Sequence, residues 1–272
     1  MLPHSKGYHS PLISQPSTSK SKQGGRRKSP KGYREAIFLK EISVILPTYN
    51  EAGHIVELIK EICLVAAGAA LVPEIILVDD NSPDGTAGAV RKSFGNDSRI
   101  KVYIRKNERG LASAVKFGIE KAAKENLVFM DTDFNHDPRT IPILVKQLES
   151  FNIAVGSRFV AGGGMKGTQF RYWGSYLFNV FVKLILRIKT NDNLSGFFAV
   201  SKQLLKSFNL EQIFKGYGDY FIRFLYQAGR RKLSIIEIPV VYQQRPSGKS
   251  KTNFLFHLRR YIITVFKIRL GK

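Results

Sequence analysis

Cysteine and long apolar runs are both scarce in this chain of 272 residues. The single cysteine, Cys63, excludes an internal disulfide framework and is typical of a reducing compartment such as the cytosol. No run of eighteen uncharged apolar residues is present, which argues against a membrane-spanning helix. The basic N-terminus is not followed by an apolar run, so it does not indicate a secretory signal. We therefore expect a cytoplasmic protein whose membrane association, if any, is peripheral.

Acidic residues are absent from both ends of the chain. Residues 1–34 carry eight lysines or arginines, and residues 245–272 carry eight more. These ends hold most of the formal net charge of +22. Residues 1–34 also contain few aliphatic side chains, so we interpret them as a disordered basic tail. Such ends favour a polyanion, either nucleic acid or the anionic face of a membrane.

Short apolar runs alternate with helix-like stretches through the middle of the chain. This alternation predicts one α/β domain with a parallel sheet covered on both faces. The predicted strands are 42–46, 75–78, 100–104, 127–130, 153–155, 197–200 and 234–242. The predicted helices are 51–68, 84–94, 110–124, 172–189 and 217–229. The glycine cluster 162–164 predicts a mobile loop.

Two carboxylates, Asp131 and Asp133, follow the apolar strand predicted at 127–130. They emerge at the carboxyl end of the strand, where α/β sheets place ligands, and at this spacing both can reach one ion. Two carboxylates leave most of an Mg²⁺ or Mn²⁺ coordination shell open for diphosphate oxygens and water. The pair therefore predicts a divalent metal site, although the three-residue motif alone is common.

Acidic side chains also follow two other predicted core strands. Asp79 and Asp80 come directly after Val78, and Pro47 to Glu51 follow the first strand. Turns and helix caps explain part of both segments, but not two consecutive acids at the edge of a core strand. Such acceptors can bind a base N–H and a ribose hydroxyl. Three acidic strand ends side by side predict one nucleotide site. No Walker loop is present, which argues against a P-loop enzyme.

Taken together, these segments resemble the family 2 glycosyltransferases, and among them the polyprenyl-phosphate sugar synthases of the dolichol-phosphate mannose synthase type. The matching segments follow the family order from about 42 to 252. They are Pro47 to Glu51, Val78 to Thr86, Gly110 to Ala112 with Gly118, Met130 to Pro138, Gly156 to Phe159, Asp192 to Phe197, Gly216 with Tyr217, and Arg245 to Lys251.

The resemblance implies a single Rossmann-like domain of the nucleotide-diphospho-sugar transferase (GT-A) type, with a mostly parallel sheet, over residues 35–252. It places the donor near Pro47, Tyr49, Glu51, Asp80, Thr132 and Lys251. It assigns the metal, Mg²⁺ or Mn²⁺, to Asp131, Asp133 and Asn135. The acceptor-phosphate positions of the family fall on Arg158, Arg171, Ser175 and Arg245, a sensible set because forked guanidiniums bind phosphate bidentately.

Residues 253–272 predict an amphipathic helix with one narrow polar stripe and a wide apolar face. Its five basic side chains disfavour a span across the bilayer, and a position in the membrane interface suits it better. A helix packed on the domain with its charges in water is the alternative. Either this helix suffices for membrane attachment, or a separate membrane-anchoring subunit is needed.

The choice of acceptor decides whether the reaction needs a base. In an inverting transfer the acceptor oxygen attacks the anomeric carbon while the nucleoside diphosphate leaves. A phosphate monoester, with a second pKa near ~6, is already largely dianionic at neutral pH. A glycan or protein hydroxyl would need a base, for which Asp219 is the candidate, with capping of the next helix as its other role. We expect hexose transfer to a polyprenyl phosphate, with GDP-mannose favoured over UDP-glucose and with Asp133, Arg158 and Arg245 as catalytic groups.

A nucleic-acid-binding protein is the rival interpretation of the basic ends. The charge lies at the termini rather than on a face interleaved with aromatic residues. Three acidic strand ends would moreover repel phosphate unless a metal is bound. We therefore expect a nucleotide-sugar, a lipid phosphate and an anionic membrane surface as partners, and no nucleic acid.

Overall fold

The computed structural model of this chain describes residues 39–167, 169–243 and 254–271. The predicted basic tail, Arg245 and Lys251 lie outside these residues. The described strands are Lys40–Thr48 (β1), Leu71–Asp79 (β2), Ile100–Ile104 (β3), Asn126–Phe129 (β4), Ile153–Ser157 (β5), Gly164–Met165 (β6), Phe198–Ser201 (β7), Ile235–Pro239 (β8) and Val241–Tyr242 (β9).

Helices connect most of these strands. They are Ile55–Gly68 (α1), Thr86–Phe94 (α2), Leu111–Lys121 (α3), Ile141–Gln147 (α4), Gln169–Leu186 (α5), Lys202–Lys206 (α6), Leu210–Ile213 (α7), Tyr220–Arg230 (α8) and Phe254–Arg269 (α9). A 3₁₀ turn at Pro138–Thr140 leads into α4.

The central sheet has seven strands in the order β3-β2-β1-β4-β7-β5-β8. Every neighbouring pair in it is parallel except the two that β7 makes with β4 and β5. The predicted mostly parallel α/β sheet is therefore confirmed. The chain steps outward from β1 to β3 and then returns to place β4 on the other side of β1. Such a reversal opens a crevice at the carboxyl ends of the strands, where α/β proteins bind ligands.

Apolar side chains on both faces of the sheet explain why its strands read as continuous hydrophobic runs. In β1, Val44 and Leu46 belong to one buried cluster, whereas Ile45 belongs to the cluster on the opposite face. Gly118 lets α3 lie close to this second face, because a Cβ there would stand 2.5 Å from Cγ2 of Ile45. The sheet is thus held between helices, and its carboxyl edge is left to the connecting loops.

Two predictions about individual elements differ from the structure, and the short helices α4, α6 and α7 were not predicted. The loop predicted over the glycine cluster is wrong at Gly164, which begins β6 and pairs with β9 in a separate two-stranded sheet. The strand predicted over 234–242 is two strands, because the chain leaves the main sheet after Pro239. The helix α4 was not predicted, since its seven residues are too few for a clear helical period.

The helix α9 packs against the domain on one side. Val265 is fully buried in a cluster with Phe178 of α5 and Ile222 of α8. Part of the helix stays in contact with solvent, with exposed fractions of 36–46% at Ile262, Ile263 and Phe266. The packed arrangement is thus present, and an additional contact with a membrane remains a prediction. Among the described residues, none of the helices has the length and apolar content needed to cross a bilayer.

Candidate donor and metal site

A cleft of about 460 Å³ opens where β1, β2 and β4 end. Seven residues that the sequence assigned to the donor site or the metal line it: Pro47, Tyr49, Glu51, Asp80, Asp131, Thr132 and Asp133. Arg109, Gly110 and Tyr217 line it as well, and the sequence analysis did not assign Arg109 or Tyr217 to the site. The parallel strands therefore bring their terminal side chains into one concave surface at the point where the strand order reverses.

The loops after β1 and β2 are joined to each other by hydrogen bonds. The backbone N–H of Glu51 donates to Oγ1 of Thr86 at 2.9 Å. The N–H of Ala52 donates to Oδ2 of Asp84 at 3.0 Å, and Asp84 also accepts from the N–H of Thr86. Because side chains that follow β2 accept hydrogen bonds from backbone N–H groups of the loop after β1, the two segments form one wall of the cleft rather than two independent loops.

Asp80 anchors a buried charge network beneath the cleft. Nε of Arg105 donates to its Oδ1 at 2.8 Å, and the N–H of Gly110 donates to its Oδ2 at 2.8 Å. Both Asp80 and Arg105 are buried. The carboxylate therefore positions the start of α3 and also faces the cleft. The sequence signal for Arg105 was available, since it is a charged residue directly after the core strand β3.

Arg109 brings a positive charge to the cleft. Its guanidinium carbon lies 3.6 Å from the centroid of the Tyr49 ring, a stacked cation–π contact. Both side chains line the cleft. A guanidinium fixed in this way is suited to a diphosphate group, because its planar donors match phosphate oxygens.

The metal-binding candidates Asp131 and Asp133 lie in a tight turn after β4. Phe134 has a left-handed φ of 60°, which turns the chain back on itself. Asn135 donates to Asp133 through its backbone N–H at 3.2 Å and its Nδ2 at 2.8 Å. Asn135 therefore orients the Asp133 carboxylate, whether or not it also reaches a metal. The Asp131 side chain is 46% exposed and faces the cleft.

A buried histidine, missed by the sequence analysis, holds the other end of this turn. Nδ1 of His136 accepts the backbone N–H of Asp131 at 2.8 Å, so the ring proton is on Nε2, which is 2.7 Å from the Tyr242 hydroxyl. Tyr242 in turn donates to the carbonyl oxygen of Ser195 at 2.9 Å. Burial lowers the pKa of His136 to about 4, although the Asp133 charge opposes this, so the ring is neutral at physiological pH.

Arg158 follows β5 but is bound to a carboxylate that the sequence analysis did not pair with it. Its Nε and Nη2 both donate to Asp192, each at 2.8 Å, and both residues are buried. Burial alone would lower the pKa of the Arg158 guanidinium, but Asp192 outweighs this and holds it above its ordinary value. Arg158 is therefore part of a neutralised pair, and not the uncompensated cation that an acceptor phosphate would attract.

Arg171 and Ser175 lie on the first turns of α5. Arg171 is exposed, and Ser175 is partly buried. Phe159 links this helix to Arg158, with its ring 5.3 Å from that of Tyr172. In the described part of the chain neither Arg171 nor Ser175 lines the donor cleft. The other two assigned positions, Arg245 and Lys251, lie outside the described residues.

Asp219 does not have the surroundings expected of a general base. Its carboxylate is buried and accepts the N–H of Tyr217 at 2.8 Å and the hydroxyl of Thr264 at 2.9 Å. It also pairs with Arg223. The alternative role, a cap, is wrong, because the Asp219 side chain makes no capping hydrogen bond to α8. A buried carboxylate that already accepts three hydrogen bonds, one of them from an arginine, is poorly placed to take a proton from an acceptor hydroxyl.

Comparisons with known proteins agree with this architecture. The model of the family described as glycosyl transferase family 2 matches residues 43–208. A dolichol-phosphate mannosyltransferase of Pyrococcus furiosus is 33% identical over 84% of this chain, which spans only 64% of that relative. A dolichol-phosphate mannosyltransferase of Saccharomyces cerevisiae is 31% identical, covering 78% of this chain and 80% of the relative. An undecaprenyl-phosphate mannosyltransferase of Micrococcus luteus is 28% identical, over 77% and 86%.

The fold also matches solved structures. Glucosyl-3-phosphoglycerate synthase of Mycobacterium tuberculosis, crystallised with Mn²⁺, UDP and glucosyl-3-phosphoglycerate, superposes with a TM-score of 0.65 at 22% identity. The match covers 85% of this chain and 80% of that one. At this sequence identity the structural similarity shows the fold alone. The matched family segment runs from within β1 through β7 and includes the strand ends that form the cleft, and this chain therefore belongs to glycosyl transferase family 2.

Proposed function

We propose that the chain transfers a hexose, with inversion and with the help of a divalent metal, from a nucleotide-sugar to a polyprenyl phosphate. GDP-mannose is the favoured donor and UDP-glucose the alternative. The observation that carries the proposal is the cleft itself, which combines two carboxylates with a stacked arginine in a chain whose relatives are named as dolichol- and undecaprenyl-phosphate mannosyltransferases.

The two carboxylates, Asp131 and Asp133, suit a hard divalent cation. Asp131 and Asp133 face one cleft, and in the described residues no group of three or more His, Cys, Asp or Glu side chains could enclose a metal. Mg²⁺ and Mn²⁺ are commonly bound by one or two carboxylates, with substrate phosphates and water completing the shell. When bound, such an ion would neutralise charge on the departing diphosphate. Two of the solved structures with this fold were crystallised with Mn²⁺ and Mg²⁺ respectively.

The residues of the chain would orient the donor. Asn135 and His136 hold the turn that carries the two metal carboxylates. The loops after β1 and β2, tied together through Thr86, would enclose the nucleoside with Tyr49 and Asp80. Because this scaffold is fixed by hydrogen bonds before ligand arrives, little orientational freedom would remain to be lost during reaction.

The lipid-phosphate acceptor is favoured over a hydroxyl acceptor. A hydroxyl would need a base, and Asp219 is buried with donors already on its carboxylate. A phosphate monoester, with a pKa near ~6, attacks without one. Arg171 and Ser175 on α5 are the proposed acceptor positions among the described residues.

An anionic membrane surface is the proposed partner of α5 and α9. These helices pack together, and Phe181 of α5 contacts Phe266 of α9. Apolar side chains stay exposed on both, including Phe170, Trp173 and Leu177 on α5 and Phe266 on α9. Basic residues lie on the same helices, as expected where a peripheral protein meets anionic lipid. A position at the cytosolic face and a separate anchoring subunit remain predictions.

The function is tested by incubating the full chain with radiolabelled nucleotide-sugars, a polyprenyl phosphate and either Mn²⁺ or chelator. Label should enter the lipid phase only with metal. Asp133→Asn should lower the rate by about a hundredfold or more, since a metal ligand is lost. Asp137→Asn, four positions away in a surface pair with Arg139, is the matched control and should retain activity. Transfer that survives in Asp133→Asn would overturn the metal assignment, and the absence of lipid-linked label with every donor would overturn the acceptor.

Membrane attachment is tested separately by flotation with anionic and neutral vesicles. Trp173→Ser combined with Phe266→Ser should reduce binding to anionic vesicles, because both side chains are about half exposed on the proposed face. Leu64→Ser, at a still more exposed apolar position on α1, should not. If Leu64→Ser reduced vesicle binding as much as the double variant, the exposed surface of α5 and α9 would not be the membrane-binding face.

A further inference from the structure

The segment Gly216 to Asp219 separates the donor cleft from α9. Tyr217 lines the cleft, and Asp219 lies behind it, buried. Gly216 has a φ of 83°, and a Cβ at this position would stand 2.8 Å from Oδ1 of Asp219. The loop therefore closes tightly over the carboxylate, which only a residue without a side chain allows at Gly216.

The Asp219 carboxylate is the centre of a small buried hydrogen-bond network. Its Oδ1 accepts the backbone N–H of Tyr217 at 2.8 Å. Its Oδ2 accepts from Thr264 Oγ1 at 2.9 Å and also from Arg223, whose Nη1 donates to the carbonyl of Lys215 at 2.8 Å. One carboxylate thus links the backbone on the cleft wall to α8 and, through Thr264, to α9.

A second residue of α9 packs against the same segment. A Cβ on Gly218 would lie 2.6 Å from the hydroxyl of Tyr261, so this tyrosine fits only because position 218 has no side chain. Burial raises the pKa of the Tyr261 phenol, which therefore stays protonated. Tyr261 and Thr264 are three residues apart on the helix and so share one face. The contact of α9 with the loop is therefore made by two neighbouring side chains.

We propose that α9 supports the wall of the donor cleft from behind, with Thr264 as a positioning residue that acts through Asp219 to hold Tyr217 in that wall. The inference rests on the proposed binding of a nucleotide-sugar in this cleft and is independent of the acceptor. Without the Thr264 hydroxyl, the buried Asp219 carboxylate loses one of its hydrogen bonds. Burial makes an unsatisfied carboxylate oxygen costly in free energy. The Gly216 to Asp219 segment then loosens, and donor binding weakens.

The test compares Thr264→Val, which keeps the shape and removes the hydroxyl, with Thr264→Ser, which keeps the hydroxyl. Thr264→Val should raise the KM for the nucleotide-sugar about fivefold, with little change in kcat. This is less than the full loss of a hydrogen bond to a charged group would give, because Thr264 acts on the nucleotide-sugar only through Asp219 and Tyr217. Thr264→Ser should restore the wild-type KM. Thr140→Val, at a comparably buried threonine before α4, is the matched control and should behave as wild type.

Hydrogen exchange of the peptide containing Tyr217 provides a readout that does not depend on turnover. Its amide should exchange faster in Thr264→Val and at the wild-type rate in Thr264→Ser. If Thr264→Val does not fold, Gly218→Ala, which displaces Tyr261 from the same contact, should give the same higher KM and faster exchange. An unchanged KM together with an unchanged exchange rate in Thr264→Val overturns the proposal. A wild-type chain that is inactive with every nucleotide-sugar refutes the proposed function instead. In that case the exchange rate of the Tyr217 peptide alone decides whether Thr264 positions this segment.

Asp219→Asn distinguishes this role from that of a base. A positioning carboxylate predicts a higher KM, because the asparagine amide cannot accept from Tyr217, Arg223 and Thr264 as the carboxylate does. A general base predicts that kcat falls and that the donor binds as in wild type. The second result would overturn the positioning role.

Discussion

The guanidinium of Arg158 and the carboxylate of Asp192 form a two-pronged ion pair, with Nε and Nη2 each donating at 2.8 Å across 34 residues of sequence. The backbone N–H of Arg158 adds a third hydrogen bond at 3.0 Å. Asp192 has no contact with solvent. The pair therefore joins the end of β5 to the segment before β7.

We expect Asp192→Ala to lower the free energy of unfolding by about 3–5 kcal/mol, because Arg158 would remain buried without a counter-charge. Urea denaturation measures this loss. Asp97→Ala, which breaks the more exposed pair with Arg99, is the control and should cost no more than about 1 kcal/mol. If the two variants lost similar amounts of unfolding free energy, the buried pair would not contribute more to stability than the exposed one.

His136→Phe tests how the metal turn is held. The new ring can keep the stacking on Phe197, whose centroid lies 4.7 Å away, but it leaves the N–H of Asp131 and the hydroxyl of Tyr242 without this partner. We expect a loss of stability of about 1–3 kcal/mol per group and a higher Mn²⁺ concentration for half-maximal rate. Tyr242→Phe removes only the outer contact, so its metal requirement should stay near that of wild type. An unaltered Mn²⁺ requirement in His136→Phe would show that Asp131 needs no such support.

Arg109→Gln removes the cation stacked on Tyr49 and preserves much of its length. If this guanidinium contacts the diphosphate, the KM for the nucleotide-sugar should rise about tenfold, equivalent to about 1.4 kcal/mol. Steady-state kinetics at saturating metal measures the change. Arg91→Gln, a surface substitution on α2, should leave KM unaltered. If both variants bind donor as wild type does, Arg109 has no part in donor recognition.

The stability of the chain should fall with acid partly through Glu74. Burial would raise the pKa of this carboxyl, but hydrogen bonds from Lys101, Ser43 and the N–H of Ala123 outweigh burial and hold it below its usual value. The resulting stabilisation is complete above the unfolded-state pKa of 4.5 and is lost as the pH falls through the lower folded-state pKa. Glu74→Gln should therefore flatten the decline in unfolding free energy between about pH 5 and 3. Glu57→Gln, at an exposed pair with Lys60, should keep the wild-type profile.

The sequence predicted the parallel sheet and the grouping of Asp80, Asp131 and Asp133 because both depend on local signals. A strand buried on both faces leaves an apolar run, and acids directly after such runs fall on one edge. The direction of β7 could not be predicted, since Phe197 to Val200 has the composition of any core strand. The partners of Arg158 and Asp219 could not be predicted either. Asp192 is 34 residues from Arg158, and Thr264 is 45 residues from Asp219, and no sequence periodicity marks such distant pairs.

The reversed direction of β7 makes the chain unequally tolerant of insertions. Phe198 pairs with Phe129 and Val155, so β7 begins at the carboxyl edge of its neighbours, and the connection from α5 runs along that edge. The two-residue link between α1 and β2 lies at the opposite edge of the sheet. Insertions or deletions between α5 and β7 would therefore move Asp192 and disturb its ion pair with Arg158. Insertions or deletions between α1 and β2 can accumulate as sequences diverge.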